Sequence, residues 1–355
     1  MRWSEQHIIN RTETDTRKKY WIIWNGRNSR KIKMKRNELF QERSSAMKKF
    51  SVVLILSLCV FFAGCRSEEA PQTENTAAPG GESSASAIRL DGSAISAESG
   101  VTVDGTTATV TASGTYEVTG TLENGQIIVD TAGTVDLILN NASIHCETSS
   151  PIQIKNADHI YVTLAEGSSN ELSDGTAYEL VPPETEPDAT LFSKSDLTIR
   201  GEGTLTVTAN YRDGITSKDS LVIESGNLFV TAVNHAIKGK DFLCVENGTI
   251  TVDAGVDGMK ATNDSASSLG YVEIKGGTLA ITAQDEGISA ITDVTISGGT
   301  IRIDTANNGI KTNGAIRVSS GTLEIQTEDK GLICAEQSIA DEAEVSVNGE
   351  KITST

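Results

Sequence analysis

From Gly214 onward the chain repeats itself every 22 residues. Segments beginning at Gly214, Ala236, Gly258, Gly287 and Gly309, with Gly331 following, are separated by 22, 22, 29, 22 and 22 residues. The one long interval carries seven extra residues around Asn263-Asp264-Ser265-Ala266-Ser267-Ser268-Leu269, a loop inserted into an otherwise constant unit. Within the units the aliphatic residues fall in register. Leu221-x-Ile223 matches Leu243-x-Val245, Val272-x-Ile274, Val294-x-Ile296 and Ile316-x-Val318, and Leu228-x-Val230 matches Ile250-x-Val252, Leu279-x-Ile281, Ile301-x-Ile303 and Leu323-x-Ile325. A third site follows the turn at Ile215, Ile237, Met259, Ile288, Ile310 and Leu332. Period-2 alternation in three short runs, broken by glycine-containing turns, predicts three strands per unit. Such a unit cannot bury its apolar side alone, so the units must stack, and the aliphatic residues become ladders inside a coil. The predicted class is all-β, a single-stranded parallel β-helix with 22-residue coils.

Upstream the pattern continues less regularly. Leu197-x-Ile199 and Leu205-x-Val207 give one more coil, and Leu137-x-Leu139 lies 25 residues before Val162-x-Leu164. Residues 170–188, with Pro182, Pro183 and Pro187, read as a long acidic excursion. The helix is expected to start near Ala87 and to be closed by the divergent segment after Leu332.

Charge divides the chain. Of 30 Lys and Arg and 48 Asp and Glu, residues 1–64 hold 14 and 5, a balance of +9; residues 65–355 hold the other 16 and 43, a balance of −27. An overall charge of −18 excludes a phosphate-tracking surface and argues against a nucleic-acid partner. Met47-Lys48-Lys49 opens a basic region before an apolar run, Phe50 to Phe62, that is too short to span a bilayer comfortably. The run ends at Phe62-Ala63-Gly64-Cys65, which resembles a bacterial lipobox with Phe62 in place of the usual Leu. Cys65 is therefore the expected lipidation site, and the expected product is exported and anchored to the cell membrane; an uncleaved anchor is the alternative. The expected organisation is 1–46 an extension from a start codon placed too early, 47–64 a lipoprotein signal peptide, 65–88 a flexible tether, and 89–355 the parallel β-helix domain. Cys146, Cys244 and Cys334 remain, an odd number without metal-ligand spacing, and read as buried thiols.

The stretch 189–219, ATLFSKSDLTIRGEGTLTVTANYRDGITSKD, is similar to the signature of bacterial secreted proteins named carbohydrate-binding domain-containing proteins. The coupled spacing of SKSDL, GEGTLTV, YRDGI and SKDSL carries the resemblance, which covers about residues 95–335. It implies a right-handed parallel β-helix, akin in architecture to pectate lyases, that binds calcium and an acidic polysaccharide such as polygalacturonate. The family's Asn or Asp before the coil glycine is kept at Asp213, Asp257 and Asn308, whereas one coil has His235 followed by Ala236.

Equal positions in stacked coils form columns about 4.8 Å apart. One column is Asp213, His235, Asp257, Glu286, Asn308 and Lys330, with Asp285 and Asn307 beside it; a second is Asp219, Asp241 and the Asn263-Asp264 pair. Carboxylates at this spacing repel unless a cation screens them, and clustered Asp, Asn and carbonyl oxygens suit calcium. Asp and Asn also make turns without any ion. Lys194, Lys218 and Lys240 repeat in register, with Lys238, Lys260 and Lys311 on the same region; they could bind sugar carboxylates or only balance the Asp columns. All three Trp precede residue 25, so sugar-stacking planes are scarce, and Tyr211 and Phe229 are the best candidates for sugar contact. A surface at −27 repels a polyuronate, so bound cations or the lysines must mediate.

Two other functions compete. A lyase would combine calcium with a Lys or Arg base, but no isolated acid–base cluster breaks the repeat, and neighbouring His145 and Cys146 point to opposite faces of a strand. A scaffold or adhesin for a protein partner would use the long flat faces of a solenoid. The reading that follows is a cell-surface lipoprotein that binds acidic polysaccharide through a calcium-loaded β-helix without catalysis.

Overall fold

Short runs of Val, Ile and Thr suit a pleated surface that is buried on one side, and turns, many of them glycine-containing, end most runs after three to seven residues. The computed structural model describes residues 85–353, which are strands joined by turns and bends. Expectations for residues 1–46, for the signal at 47–64, for Cys65 and for most of the 65–88 tether lie outside the described residues.

Strands recur in a fixed order of three and stack in parallel on their equivalents, giving a fold of β-helix type with three ladders. The first face runs through Leu197–Gly201, Ser220–Ile223, Phe242–Val245, Tyr271–Ile274, Val294–Ile296 and Ala315–Val318. The second runs through Thr204–Ala209, Asn227–Ala232, Thr249–Ala254, Thr278–Ala283, Thr300–Thr305 and Gly321–Thr327. The third, in a separate sheet, runs through Asp213–Ser217, Ile237–Gly239, Met259–Ala261, Ile288–Ala290 and Ile310–Thr312. The pairing register joins the residues that the repeat aligns. Ile215 pairs with Ile237, Ile237 with Met259, Met259 with Ile288, Ile288 with Ile310, and Ile310 with Leu332. Upstream, Leu137 pairs with Val162 as their spacing suggests. The inward residues of all three faces form one buried core, and Leu332, in the last pair of the third face, is only half-buried.

The first strand begins at Ser86, one residue before the expected start near Ala87 and inside the last residues of the 65–88 segment read as a tether; Ile88 is fully buried and pairs with Val118. The excursion is 175–188, since Ser169–Asp174 is a strand of the second face, paired with Thr204–Ala209. Its Asn170 sits at an inward position aligned with Leu205. The Asn170 amide accepts from the Ala142 N–H (2.9 Å) and donates to Ser168 Oγ (2.8 Å) and the Thr204 carbonyl (3.0 Å), so the buried polar group is satisfied. Both ends of the stack turn antiparallel. Ser86–Gly92 pairs with Ala94–Ala97 and Val101–Asp104 with Thr107–Val110 at one end, and Ala343–Val347 with Glu350–Ile352 at the other. These hairpins cover strand edges that would otherwise template another chain.

Stacking leaves no room for a side chain at Gly214, Gly258, Gly287 and Gly309, where coils enter the third face, whereas one coil holds Ala236 at the same place. A Cβ on Gly287 would meet Ile303 Cγ2 at 2.3 Å and the Gly309 carbonyl oxygen at 2.7 Å. Gly287→Ala is expected to lower unfolding free energy by about 1–3 kcal/mol, read by chemical denaturation. A midpoint equal to that of the unsubstituted protein would contradict the close approach.

Candidate functional site

Immediately before the third face, the acids of the first predicted column sit where coil follows coil. Their backbone is fixed by ladder bonds: Gly258 N–H donates to the Glu286 carbonyl and Gly287 N–H to the Asn308 carbonyl, both at 3.0 Å. The side chains are therefore brought to one line, and Asp257 (0% exposed), Glu286 (4%) and Asn308 (4%) are buried.

The members differ in what they already hold. Both oxygens of Asp213 are engaged: Oδ1 accepts from Asn234 Nδ2 (2.6 Å) and His235 N–H (3.3 Å), Oδ2 from Thr216 Oγ1 (3.1 Å) and Lys238 Nζ. No oxygen is left for an ion there. His235 follows in the column. Its Nδ1 lies 3.4 Å from both the Asp257 backbone nitrogen and Asp257 Oδ2, so the ring faces Asp257 whichever tautomer it holds. Burial pushes its pKa down to about 4, with Lys260 and Lys238 adding to that effect against Asp213 and Asp285. A neutral imidazole thus separates Asp213 from Asp257.

Beyond it, Asp257, Asp285 and Glu286 each bring a carboxylate oxygen within 4.8 Å of the others. Two oxygens on one calcium, each at about 2.3–2.6 Å, can be no more than about 5 Å apart, so the spacing fits a shared ion. Lys260 Nζ meets Asp257 Oδ2 at 2.6 Å and Lys311 Nζ meets Glu286 Oε1 at 2.5 Å. Three carboxylates against two ammonium groups leave the cluster one negative charge in excess. Each acid also keeps an oxygen with no lysine on it: Asp257 Oδ1 accepts only the Glu286 N–H (3.2 Å), and Asp285 bonds Asn307 Nδ2 (2.5 Å) through Oδ1 alone. Asn308 donates to Glu286 Oε1 at 3.4 Å, and its own Oδ1 is buried without a partner. An orphaned amide oxygen beside three carboxylates is a donor set for a hard cation. A shallow groove of about 430 Å³ begins beside Asp285, lined by Thr282, Gln284, Asp304, Gln326, Glu328 and Asn348 among others, and it carries no basic side chain.

The second predicted column divides. Asp219 and Asp241 stack, the Asp241 N–H donating to the Asp219 carbonyl at 3.0 Å. Burial, then the charges of Asp196 and Asp241, push the Asp219 carboxyl up, against Lys240. Asp196 escaped the sequence reading because it lies one residue before Leu197, whereas Asp219 and Asp241 lie two residues before Leu221 and Leu243. Asn263 faces Asp241 through Nδ2 (2.5 Å), while its Oδ1 accepts Ser265 N–H (2.9 Å) and Oγ (2.6 Å). It thus folds the inserted loop, in which Asp264 is exposed.

The lysines meet acids that the repeat does not contain. Glu186, from the excursion, lies 3.3 Å from Lys194 Nζ and 3.0 Å from Lys218 Nζ; Asp188 lies 3.1 Å from Lys218 and 3.7 Å from Lys238. The strands Ala189–Ser193 and Asp213–Ser217 are accordingly buried at every position, whereas later strands of this face alternate. Tyr178 anchors the other end of the excursion, its hydroxyl donating to Asp174 Oδ2 at 2.7 Å and its ring stacked on Tyr211 at 4.2 Å. Tyr211 is therefore half-buried against Tyr178, with the Arg212 guanidinium 5.5 Å from its ring centre. Phe229 stands outward on the second face, 44% exposed, between Thr206 and Thr251. Lys240 is exposed and has no carboxylate within 4 Å among the described residues. Cys146, Cys244 and Cys334 are free thiols, the first two buried as expected and Cys334 half-buried; burial pushes Cys244 up to about 11.

A model of the family described as carbohydrate-binding domain-containing protein matches residues 104–307 and 293–355. A protein of that description from Acetivibrio thermocellus is 38% identical over 136 residues, 38% of this chain and 48% of the relative. The chain therefore spans about half the length of the curated relative it matches. A solved structure described as the polysaccharide lyase-like protein from C. thermocellum, a gadolinium derivative, is similar with a TM-score of 0.65 and 33% identity, over 66% of this chain and 97% of that one.

The excursion's clamp has a pH signature. Burial of Glu186 opposes its ionisation, but Lys218 and then Lys194 outweigh burial and hold its carboxyl below the ordinary 4.5. A carboxyl lowered by folding stabilises fully above its unfolded value, and that contribution is lost as the pH falls through the folded value. The melting temperature of E186Q is therefore expected to lie below that of the unsubstituted protein at pH 6, with the gap closing as the pH falls below 4.5. A gap that stays constant over that range would show that the clamp contributes nothing.

Proposed function

The chain belongs to the carbohydrate-binding domain-containing protein family, and from that premise we propose that it is an exported, lipid-anchored protein that binds acidic polysaccharide through calcium and does not cleave it. The observation that carries this reading is the donor set at Asp257, Asp285 and Glu286, one charge short of neutral, beside the orphaned Asn308 oxygen. These four residues would hold the ion, a narrower set than the two columns of the sequence reading. Bound calcium would supply the positive charge that a uronate carboxylate needs at a surface otherwise rich in acids. The adjoining groove supplies hydroxyl, amide and carboxylate groups for sugar hydroxyls. Phe229 offers an apolar surface on the same face. Anchoring through Cys65 and export rest on the signal-like sequence before it.

The likeness to a protein described as polysaccharide lyase-like makes cleavage the second reading. A lysine acting as base must give up its proton near neutral pH, which calls for a lowered pKa. Lys218 is shifted the other way. Burial lowers its pKa, but Asp188 and Glu186 outweigh burial and raise it, so it keeps its proton.

On immobilised polygalacturonate the protein is expected to be retained in calcium and released by chelator, with D285N weakening calcium-dependent retention at least about tenfold, a loss of about 1.4 kcal/mol. Retention that ignores chelator, or no retention in calcium, would contradict the reading. Incubation with the same polymer is expected to give no unsaturated-uronate absorbance; a signal lost in K218A would establish the lyase instead.

A further inference from the structure

Ser193, Ser217 and Gly239 pair in successive coils, so the residues that follow them, Lys194, Lys218 and Lys240, form a column of lysines whose backbones lie about one strand spacing apart. We propose that this column is a carboxylate-binding ladder for an acidic glycan, and that Glu186 and Asp188 of the excursion occupy its first two positions as built-in substitutes for ligand carboxylates. The proposal rests on the acidic-glycan reading above but uses no cation.

Glu186 bridges Lys194 and Lys218, and Asp188 bridges Lys218 and Lys238. A side-chain carboxylate and a uronate carboxylate are the same anion to an ammonium point charge, so what holds one holds the other. Asp188 is poorly satisfied as a purely structural partner. Its Oδ1 is buried with no donor, whereas Asp213 one coil away fills both oxygens. A buried carboxylate oxygen without a donor carries an unrecovered desolvation cost, so this contact is weaker than the geometry of its other oxygen suggests.

The covering segment is built to lift. Residues 180–187 make one backbone hydrogen bond, internal, from Glu184 N–H to the Val181 carbonyl, while the ends are held by Glu179 N–H on the Thr148 carbonyl (2.9 Å) and Asp213 N–H on the Asp188 carbonyl (3.1 Å). Residues 181–185 are exposed. The Tyr178 anchor lies outside that stretch and would keep the segment tethered. Lys240, exposed and unpaired with any described carboxylate, is the open end of the ladder at which a polyanion would begin to bind. Its advance then requires displacing two acids held at high effective concentration by the chain itself.

The test is retention on polygalacturonate in chelator at low salt, where a calcium-bridged mode is silent. E186Q/D188N is expected to bind at least about tenfold more tightly than the unsubstituted protein. The gain should vanish at high salt and when K218A and K240A are added. E186Q alone, which frees Lys194 and leaves Asp188 in place, is expected to show a smaller gain and decides the matter if the double variant does not fold. A folded variant that binds no better, or a gain that survives loss of both lysines, would overturn the proposal. Release of the unsubstituted protein by chelator reports on the calcium reading separately.

Discussion

Parallel hydrogen bonding from coil to coil, at a spacing of about 4.8 Å, is the constraint on which everything else in this protein depends. It places each residue against its own equivalent in the next coil. For aliphatic residues this gives a continuous core, as in the Ile215 to Ile310 ladder. For acids it is a liability, because like charges held a few ångströms apart and out of water repel. The entry to the third face meets this in three ways. Lys238 and Lys260 neutralise Asp213 and Asp257, a neutral His235 stands between those two, and Lys311 meets Glu286. Compensation is incomplete at one place, where Asp285 adds a third carboxylate to Asp257 and Glu286. The proposed calcium site is the point at which the column rule is left unbalanced.

Periodic features were legible in the sequence because the repeat encodes them locally. The aligned aliphatic positions, the inserted loop and the polar columns could be counted from spacing alone, and the pairing register reproduces them. Features that depend on distant partners were not legible. Asn170 reads as a loop residue until its partners at Ala142 and Thr204, 28 and 34 residues away, are known to surround it. Ile88 falls at the edge of the tether because the alternation of Ile88 and Leu90 is too short to fix where the first strand starts. The landing place of Glu186 and Asp188 on Lys194, Lys218 and Lys238 follows from a non-repeating segment, which carries no register from which to infer a contact. The available signal was the acid-rich composition of that segment, immediately before a column of lysines.

Pairing also sharpened the choice among candidate ligands. Asp213, Asp257 and Asp285 look alike in sequence, each an acid at a turn. In the folded protein Asp213 is saturated, while Asp257 and Asp285 retain oxygens facing a shared space with Glu286. The lysines likewise divide into those that neutralise the column (Lys238, Lys260, Lys311), those the excursion covers (Lys194, Lys218), and the exposed Lys240. The two proposed means of meeting an acidic glycan, a bridging cation at one corner and a lysine ladder, thus lie at opposite ends of the same short strands.

The central claim is that the unbalanced carboxylate cluster holds calcium as part of the folded protein. Elemental analysis of the purified protein, paired with thermal unfolding before and after chelation, tests it most directly. At least one calcium per chain is expected, with a melting temperature that falls on chelation and recovers on adding calcium back. A protein free of calcium whose melting temperature is the same with and without chelator would contradict it.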